Sequence, residues 1–329
     1  YICIYRSIVR YYKNKHVLIT GGSGFVGRNF VETLLKHGAK IRVPIHKKKL
    51  PIKHKNLEKI YADLNNLDDC KKVCKNIDYI FHAAGMVSAS KMTVKNPISA
   101  ISLNLNLTLK IFEAAMIQNV KKVLVFSSAT TGYPSYKFPV KETDMFKKHP
   151  PKIYFGYGWS RRYTELLGLF VSQKSKTKVA ICRPTGVYGN YDDFNDKTSH
   201  VIPSLIKKAV LKKNPYIVWG SGKEIRDFIH VQDLVRGCLL LLQKKSDCDP
   251  INIGSGKKTS IKQLVKYILK HSGHKKCQMY YDKNMPTTIP VRIVNTNKAK
   301  NILKFKPKIS LEEGIKNVIK WYKKSEKLF

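Results

Sequence analysis

The sequence predicts an α/β fold: a doubly wound parallel sheet followed by a smaller mixed α/β C-terminal domain. Three observations carry this. Short apolar runs alternate with segments of helical periodicity up to Pro184. A glycine loop, GGSGFVG at 21–27, joins the first apolar run to the first helical segment. After Pro184 the rhythm breaks into a stretch rich in Gly, Asn, Asp and Tyr at 186–197. The boundaries follow: a Rossmann-type domain over 15–184, with room for later segments to return to it, and a second domain over 185–329.

Each element has a local reason. HVLIT (16–20) is a short apolar strand. RNFVETLLKHG places Phe30, Val31, Leu34 and Leu35 on one helical face and ends at Gly38. KIRVPI (40–45) is the second strand, and KIYADL (59–64) the third. LDDCKKVCKN is a helix, and IDYIFHAAG (77–85) a strand ending in small residues. Residues 98–118 form a long helix, VKKVLVFSS (120–128) a strand, 156–171 a helix and KVAICRP (178–184) a sixth strand. Beyond it, helices are expected near 201–212, 231–244, 260–271 and 311–324, with short strands at YIVWG and RDFIH.

Composition bounds the function. The chain has 329 residues, 43% of them hydrophobic, enough to bury a core and to exclude disorder. Its formal net charge is +40, from 62 Lys and Arg against 22 Asp and Glu. That charge invites a nucleic-acid or membrane-surface reading. Yet 52 of the 62 are Lys, spread over nearly every segment. A dedicated base reader would favour Arg, and no zinc-finger, helix-turn-helix or basic–aromatic motif is present. No nucleic acid and no membrane are expected as partners. Seven scattered Cys form no C-x-x-C and complete no metal site. They read as free thiols in a reducing compartment, so a cytoplasmic location is expected and no metal.

The glycine loop has the flanks that dinucleotide binding requires. Gly21 allows the tight turn, Gly24 admits the pyrophosphate to the backbone and the helix N-terminus, and Gly27 permits close helix–strand packing. An NAD site would want a carboxylate at the end of the second strand. Here the chain reads Pro44-Ile45-His46-Lys47-Lys48. His46 and Lys47, with Arg28, suit a 2′-phosphate, so NADP is expected before NAD. Asp63 is a candidate for the adenine amino group; its alternative is a helix cap.

A carbonyl receiving hydride needs a proton donor beside the forming alkoxide. Free phenols titrate near pH 10, at roughly the model-peptide value, so such a donor wants a cation next to it. In FGYGWSRRYTE, Tyr157 and Arg161 lie four residues apart, on one helical face. Arg162 reads as a surface or substrate-side residue.

The glycine spacing, YADL, HAAG and the Tyr-x-x-x-basic helix together resemble the extended short-chain dehydrogenase/reductase family over roughly residues 15–325. The resemblance implies a nucleotide-sugar epimerase, dehydratase or reductase. It makes Tyr157 the proton-transfer group and Arg161, where the family has Lys, its ribose-holding partner. The cofactor set it implies takes in Gly21, Gly24, Phe25, Val26, Gly27 and Arg28. It continues through His46, Lys47, Asp63, Leu64, Ala83 and Ala84 to Tyr157 and Arg161. The family's hydroxyl position falls on Ala129 by one count, leaving Ser128 and Thr130 as candidates.

The SHVIP, VWG and RDF segments resemble most the GDP-L-fucose synthase branch, a 3,5-epimerase/4-reductase. That branch implies His200 as epimerisation acid, Trp219 against the guanine nucleotide, and Lys208 and Arg226 on the diphosphate. Its Cys base is Thr131 here. GDP-L-fucose synthase is therefore the first expectation. A nucleotide-sugar 4-epimerase is the alternative, and a non-catalytic dinucleotide-binding protein ranks below both. Asn104 matches a buried polar position, and His230 reads as structural. Family members often dimerise through two helices per subunit, here 98–118 and 156–171, so a homodimer is expected.

Overall fold

A computed structural model describes residues 2–86, 97–134, 139–285 and 289–326. In chain order the first half contains α1 (Ile2–Tyr12), β1 (His16–Thr20), α2 (Phe25–Lys36), β2 (Lys40–Ile45), β3 (Leu57–Tyr61), α3 (Leu67–Cys74), β4 (Tyr79–His82), α4 (Pro97–Ile117), β5 (Lys122–Phe126), α5 (Phe155–Lys174) and β6 (Lys178–Pro184). Then come β7 (Gly186–Tyr188), α6 (Val201–Val210), β8 (Tyr216–Trp219), β9 (Ile225–Arg226), β10 (Phe228–His230), α7 (Val231–Lys244) and β11 (Ile251–Ile253). The last are β12 (Thr259–Ser260), α8 (Ile261–Ser272), β13 (Met279–Asp282), β14 (Val291–Arg292), α9 (Asn297–Leu303) and α10 (Leu311–Glu326).

The main sheet has the order β11–β6–β5–β4–β1–β2–β3, and every pairing in it is parallel. This is the doubly wound α/β architecture, with a smaller mixed region after β6. Strand order reverses between β1 and β4, which opens a crevice at their carboxyl ends. Both faces are covered, so strands are apolar on both sides. Val17 and Ile19 of β1 join the layer of α2 and α7, while Leu18 joins the layer of α3, α4 and α5. Phe81 and Ile80 in β4 divide the same way. Each such buried side chain contributes roughly 1.5–3 kcal/mol.

Two features depart from the sequence expectation. The N-terminal residues, not read as an element, form α1. Ile8 and Tyr12 are fully buried against α7, and the Tyr12 hydroxyl donates to the Leu239 carbonyl at 2.8 Å. The third strand stops at Tyr61 instead of running to Leu64. Asp63 there accepts the backbone N–H and side-chain amide of Asn65, and Asn66 accepts the N–H groups of Asp68 and Asp69 to cap α3. Asp63 is therefore not the helix cap.

After β6 the chain both leaves and returns. β11 pairs with β6 at the sheet edge, and α7 supplies Leu234, Val235, Cys238 and Leu241 to the first core layer. The remainder gathers on a separate core of Ile202, Leu205, Tyr216, Leu264, Ile268, Ile315 and Val318, contributed by α6, β8, α8 and α10. This lobe faces the carboxyl edge of the main sheet through short strands.

Candidate active site

The glycine loop stands at the switch point. Gly21 has φ +67°, and a side chain there would meet the Ala83 carbonyl oxygen at 2.6 Å. A Cβ on Gly27 would lie 2.1 Å from the Gly21 carbonyl oxygen. Only glycine fits either place. Gly24 is the N-cap of α2 and has no side chain to satisfy the first-turn N–H groups. They point at the crevice, which is what a pyrophosphate requires. Phe25 and Val26 begin the helix. Ala83 and Ala84 close the far side, with the Ala84 N–H bonded to the Thr20 hydroxyl at 3.1 Å. This cradle fits a dinucleotide. Arg28 is turned along the helix instead: it pairs with Glu32 at 3.3 Å and stacks over the Tyr191 ring at 3.7 Å.

At the end of β2, His46 and Lys47 are exposed. Asp63 lies beside them. Its carboxyl is held below the usual range, first by the two Asn65 bonds and then by the nearby His46 and Lys47 charges. Leu64 is buried behind it. The basic pair thus faces a carboxylate.

The Tyr157–Arg161 couple is assembled by α5. The Arg161 guanidinium donates to the Tyr157 hydroxyl and to the Phe126 carbonyl at 3.3 Å, tying the couple to the end of β5. Its carbon lies 4.8 Å from the Tyr157 ring centre. The hydrogen bond fixes the phenol oxygen at the end of β5, where a proton donor or acceptor could meet a substrate oxygen. His82, at the end of β4, sits behind it with its ring nitrogens 2.9 Å from the Thr20 and 3.3 Å from the Thr108 hydroxyls.

The hydroxyl candidates separate. Ala129 is fully buried in a small core with Tyr133, Val140, Met145 and Val294, so that position is structural here. Ser128 accepts the N–H groups of Thr130 and Thr131 at 3.2 and 3.1 Å, which leaves its own proton to donate. Thr130 is half-buried beside it. The buried Thr131 hydroxyl has no hydrogen-bond partner among the described residues. Arg162 is not on the surface: it is 1% exposed and donates to the Gly132 and Lys148 carbonyls. One residue along a helix turns about 100°, which carries Arg162 away from the cleft and under the loop that holds the hydroxyls.

The lobe contributes cations. Arg226 in β9 is the register partner of Arg292 in β14. Arg226 donates to the Ile225 and Pro290 carbonyls; Arg292 reaches the Pro134 and Tyr133 carbonyls at 3.3 and 3.5 Å. Burial pulls both guanidinium groups down, Arg292 to about 10, and Arg226 adds to that shift. Arg292 is buried and Arg226 half-buried beside it, an arrangement that would favour an anion nearby. Arg292 escaped the sequence reading because only strand pairing brings it to Arg226. Asp227 makes no pair with Arg226; it is buried and accepts from Ser255 and Gly256. Trp219 ends β8, half-buried. Lys208 on α6 donates to the Ile217 carbonyl at 2.9 Å. His200 is the exposed N-cap residue of α6 and makes no side-chain capping bond. Asn104 is buried and clamps both backbone groups of Met86, after β4. His230 is structural, its Nδ1 accepting the Gln232 N–H at the start of α7.

A glycine cradle at the switch point, a Tyr–cation couple and two adjacent arginines, one of them buried, are those of a dinucleotide-dependent enzyme of the extended short-chain dehydrogenase/reductase type. A sequence model of the NAD dependent epimerase/dehydratase family matches residues 17–254, and the chain belongs to that family. Similar proteins include the "putative UDP-glucose 4-epimerase" of Methanocaldococcus jannaschii, 30% identical over 94% of this chain and 99% of its own. Among solved structures, UDP-glucose 4-epimerase of Thermotoga maritima with UDP-glucose has a TM-score of 0.84 at 26% identity, covering 94% of this chain and 99% of its own. MoeE5 in complex with UDP-glucose and NAD has a TM-score of 0.81 at 25% identity, with the same coverage. Other curated relatives are reductases, a decarboxylase, GDP-L-fucose synthases and a further 4-epimerase, all between 25% and 29% identical, so no branch stands out.

The expectation of NADP is overturned. The matching family is described as NAD dependent, and MoeE5 is similar to this chain and was solved with NAD. The physical reason lies at the end of β2: His46 and Lys47 are exposed side chains beside Asp63, not a buried cradle for a 2′-phosphate.

Proposed function

We propose that this protein is an NAD-dependent 4-epimerase of a nucleotide-diphospho-sugar. The observation that carries the reading is the Tyr157–Arg161 couple at the end of β5, with the Arg226–Arg292 pair near Tyr154 at the start of the same helix. The C3/C5-epimerising branch needs a base at position 131, where this chain has a threonine hydroxyl, a poor proton acceptor. Inversion at C4 needs no second base.

Tyr157 takes the proton from the C4 hydroxyl and returns it to the same oxygen once the sugar has turned its other face to the cofactor site. Arg161 donates to the phenol oxygen and holds it in place. Ser128, Thr130 and Thr131 offer hydroxyls to the same sugar oxygen. Arg226 and Arg292 anchor the diphosphate while the sugar presents its other face, with Lys208 and Trp219 on the nucleotide side. NAD, when bound in the glycine cradle, supplies a transient hydride acceptor, so the cycle has no net redox change.

The test incubates the protein with catalytic NAD and a panel of UDP- and GDP-sugars, and resolves products by NMR. C4 inversion without accumulation of NADH is expected. Tyr157→Phe should lower turnover by roughly 10²–10⁴-fold while nucleotide-sugar binding persists. Stoichiometric oxidation of NADH with a GDP-4-keto-6-deoxy sugar would instead establish the reductase reading, which the SHVIP and RDF segments favour. Equal turnover by Tyr157→Phe and parent would remove the tyrosine from the mechanism.

A further inference from the structure

Thr20, His82, Thr108 and Asn104 form one hydrogen-bonded chain beside the glycine cradle. They come from three elements: Thr20 ends β1, His82 ends β4, and Asn104 and Thr108 lie one turn apart on α4. All four are buried.

The direction of each bond in this chain follows from its partners. The Thr108 hydroxyl lies 2.8 Å from the Asn104 carbonyl, which can only accept, so its proton goes there. Towards His82 Nε2, 3.3 Å away, the Thr108 oxygen is then an acceptor, and Nε2 carries the ring hydrogen. Burial pulls the imidazole down to about 4, so the ring is neutral at pH 7 and Nδ1 accepts. The Thr20 hydroxyl, 2.9 Å from Nδ1, therefore donates to it, and the same oxygen accepts the Ala84 N–H at 3.1 Å. Every donor in the sequence Ala84, Thr20, His82, Thr108 thus meets an acceptor, ending at the Asn104 carbonyl.

Both ends of the chain grip the same piece of backbone. Residues 83–86 follow β4 and form the far wall of the cradle, with Ala83 pressed against Gly21. Thr20 holds this wall at Ala84. Asn104 holds it at Met86, accepting the N–H at 2.7 Å and donating to the carbonyl at 2.9 Å. Between the two grips Gly85 has φ +156°, and a Cβ there would lie 2.6 Å from the Asn104 amide oxygen. Wall and clamp are therefore in direct contact, and His82 links one grip to the other.

We propose that His82, as the neutral Nε2–H tautomer, is a positioning residue for the dinucleotide: it couples Thr20 to Asn104 and so fixes the 83–86 wall against the glycine loop. The inference rests on NAD binding in that cradle. His82 acts through the wall and touches no reacting atom.

NAD affinity is measured by calorimetry on the full chain, with no sugar present. Thr108→Val and Thr20→Val each remove a hydroxyl at nearly constant shape and leave a buried group unpartnered. Each should weaken NAD roughly tenfold or more, and Thr108→Ser and Thr20→Ser should recover most of that affinity. Leu264→Ala, in the separate core of the lobe, should lower the melting temperature and leave NAD affinity near the parent's. Nitrogen NMR of histidine-labelled parent should show His82 protonated at Nε2 and bare at Nδ1. Equal NAD affinity in the parent and in whichever valine variant folds would overturn the inference. So would a hydrogen on Nδ1, or a loss of affinity that merely follows melting temperature across the variants. A parent with no affinity for NAD would overturn the cofactor reading and this inference with it.

Discussion

His82 shows how one buried side chain reports on its surroundings. It is 5% exposed, and both ring nitrogens meet threonine hydroxyls. Burial is the main cause that pulls it down to about 4, and the Arg161 charge adds to it. The folded state thus prefers the neutral ring. Above pH 6.5 the group costs nothing, and its cost grows as pH falls from 6.5 to 4, reaching about 3 kcal/mol. Denaturant unfolding of the parent and of His82→Gln across that window should show a shallower loss in the variant; parallel curves would refute the assignment. At this scale the sequence was legible where spacing is local. Tyr157 and Arg161 are found by counting four residues along a helix. Arg162 was misread because burial depends on what packs over the helix. Ala129 was readable as a departure, but only the packing shows that it fills a core.

Between elements, a buried ion pair joins α5 to β6. Arg183 and Glu165 are 1% and 5% exposed and pair through two bonds of 2.8 and 2.6 Å. Arg183 also donates to the Tyr133 hydroxyl, which in turn donates to Asn252 in β11. The pair therefore locks α5, the loop of the candidate hydroxyls and the returning strand together. Glu165→Ala leaves a buried guanidinium uncompensated and should cost roughly 3–5 kcal/mol of stability, measured by chemical denaturation. A loss below 1 kcal/mol would mean that water reaches Arg183. Most strands and helices of the first 184 residues were legible, because their periodicity is a property of a few adjacent residues. α1 was missed. Its buried side, Ile8 and Tyr12, is narrow, and Arg6 and Arg10 interrupt the apolar pattern around it. The short strands β7, β9, β11 and β14 exist only through their partners.

At the scale of the molecule, α4 and α5 lie side by side on the surface and leave Leu109, Tyr163, Leu166, Leu169 and Phe170 between 40% and 54% exposed. Residues 98–117 of α4 are apolar and long enough to cross a membrane by length and composition, yet α4 rests on α3 and α5. We propose that this face buries itself against a second copy, giving the homodimer that the family resemblance implies. Leu166→Glu/Phe170→Glu should then convert a dimer to a monomer by light scattering, whereas a monomeric parent would refute the interface. The lysines belong to this scale too. Along the chain they look dispersed, and the +40 charge reads as a compositional drift. Folding collects a share of them, Lys40, Lys122 and Lys178 among them, because parallel strands place all their first residues on the amino edge of the sheet. The sequence by itself determined the order of strands and helices, the glycine cradle and the Tyr–Arg couple, since each depends on neighbours within a few residues. The tertiary structure alone decided the pairing of Arg226 with Arg292, the burial of Arg162 and Ala129, and the basic amino edge, since each is made by residues that only the sheet and its helices bring together.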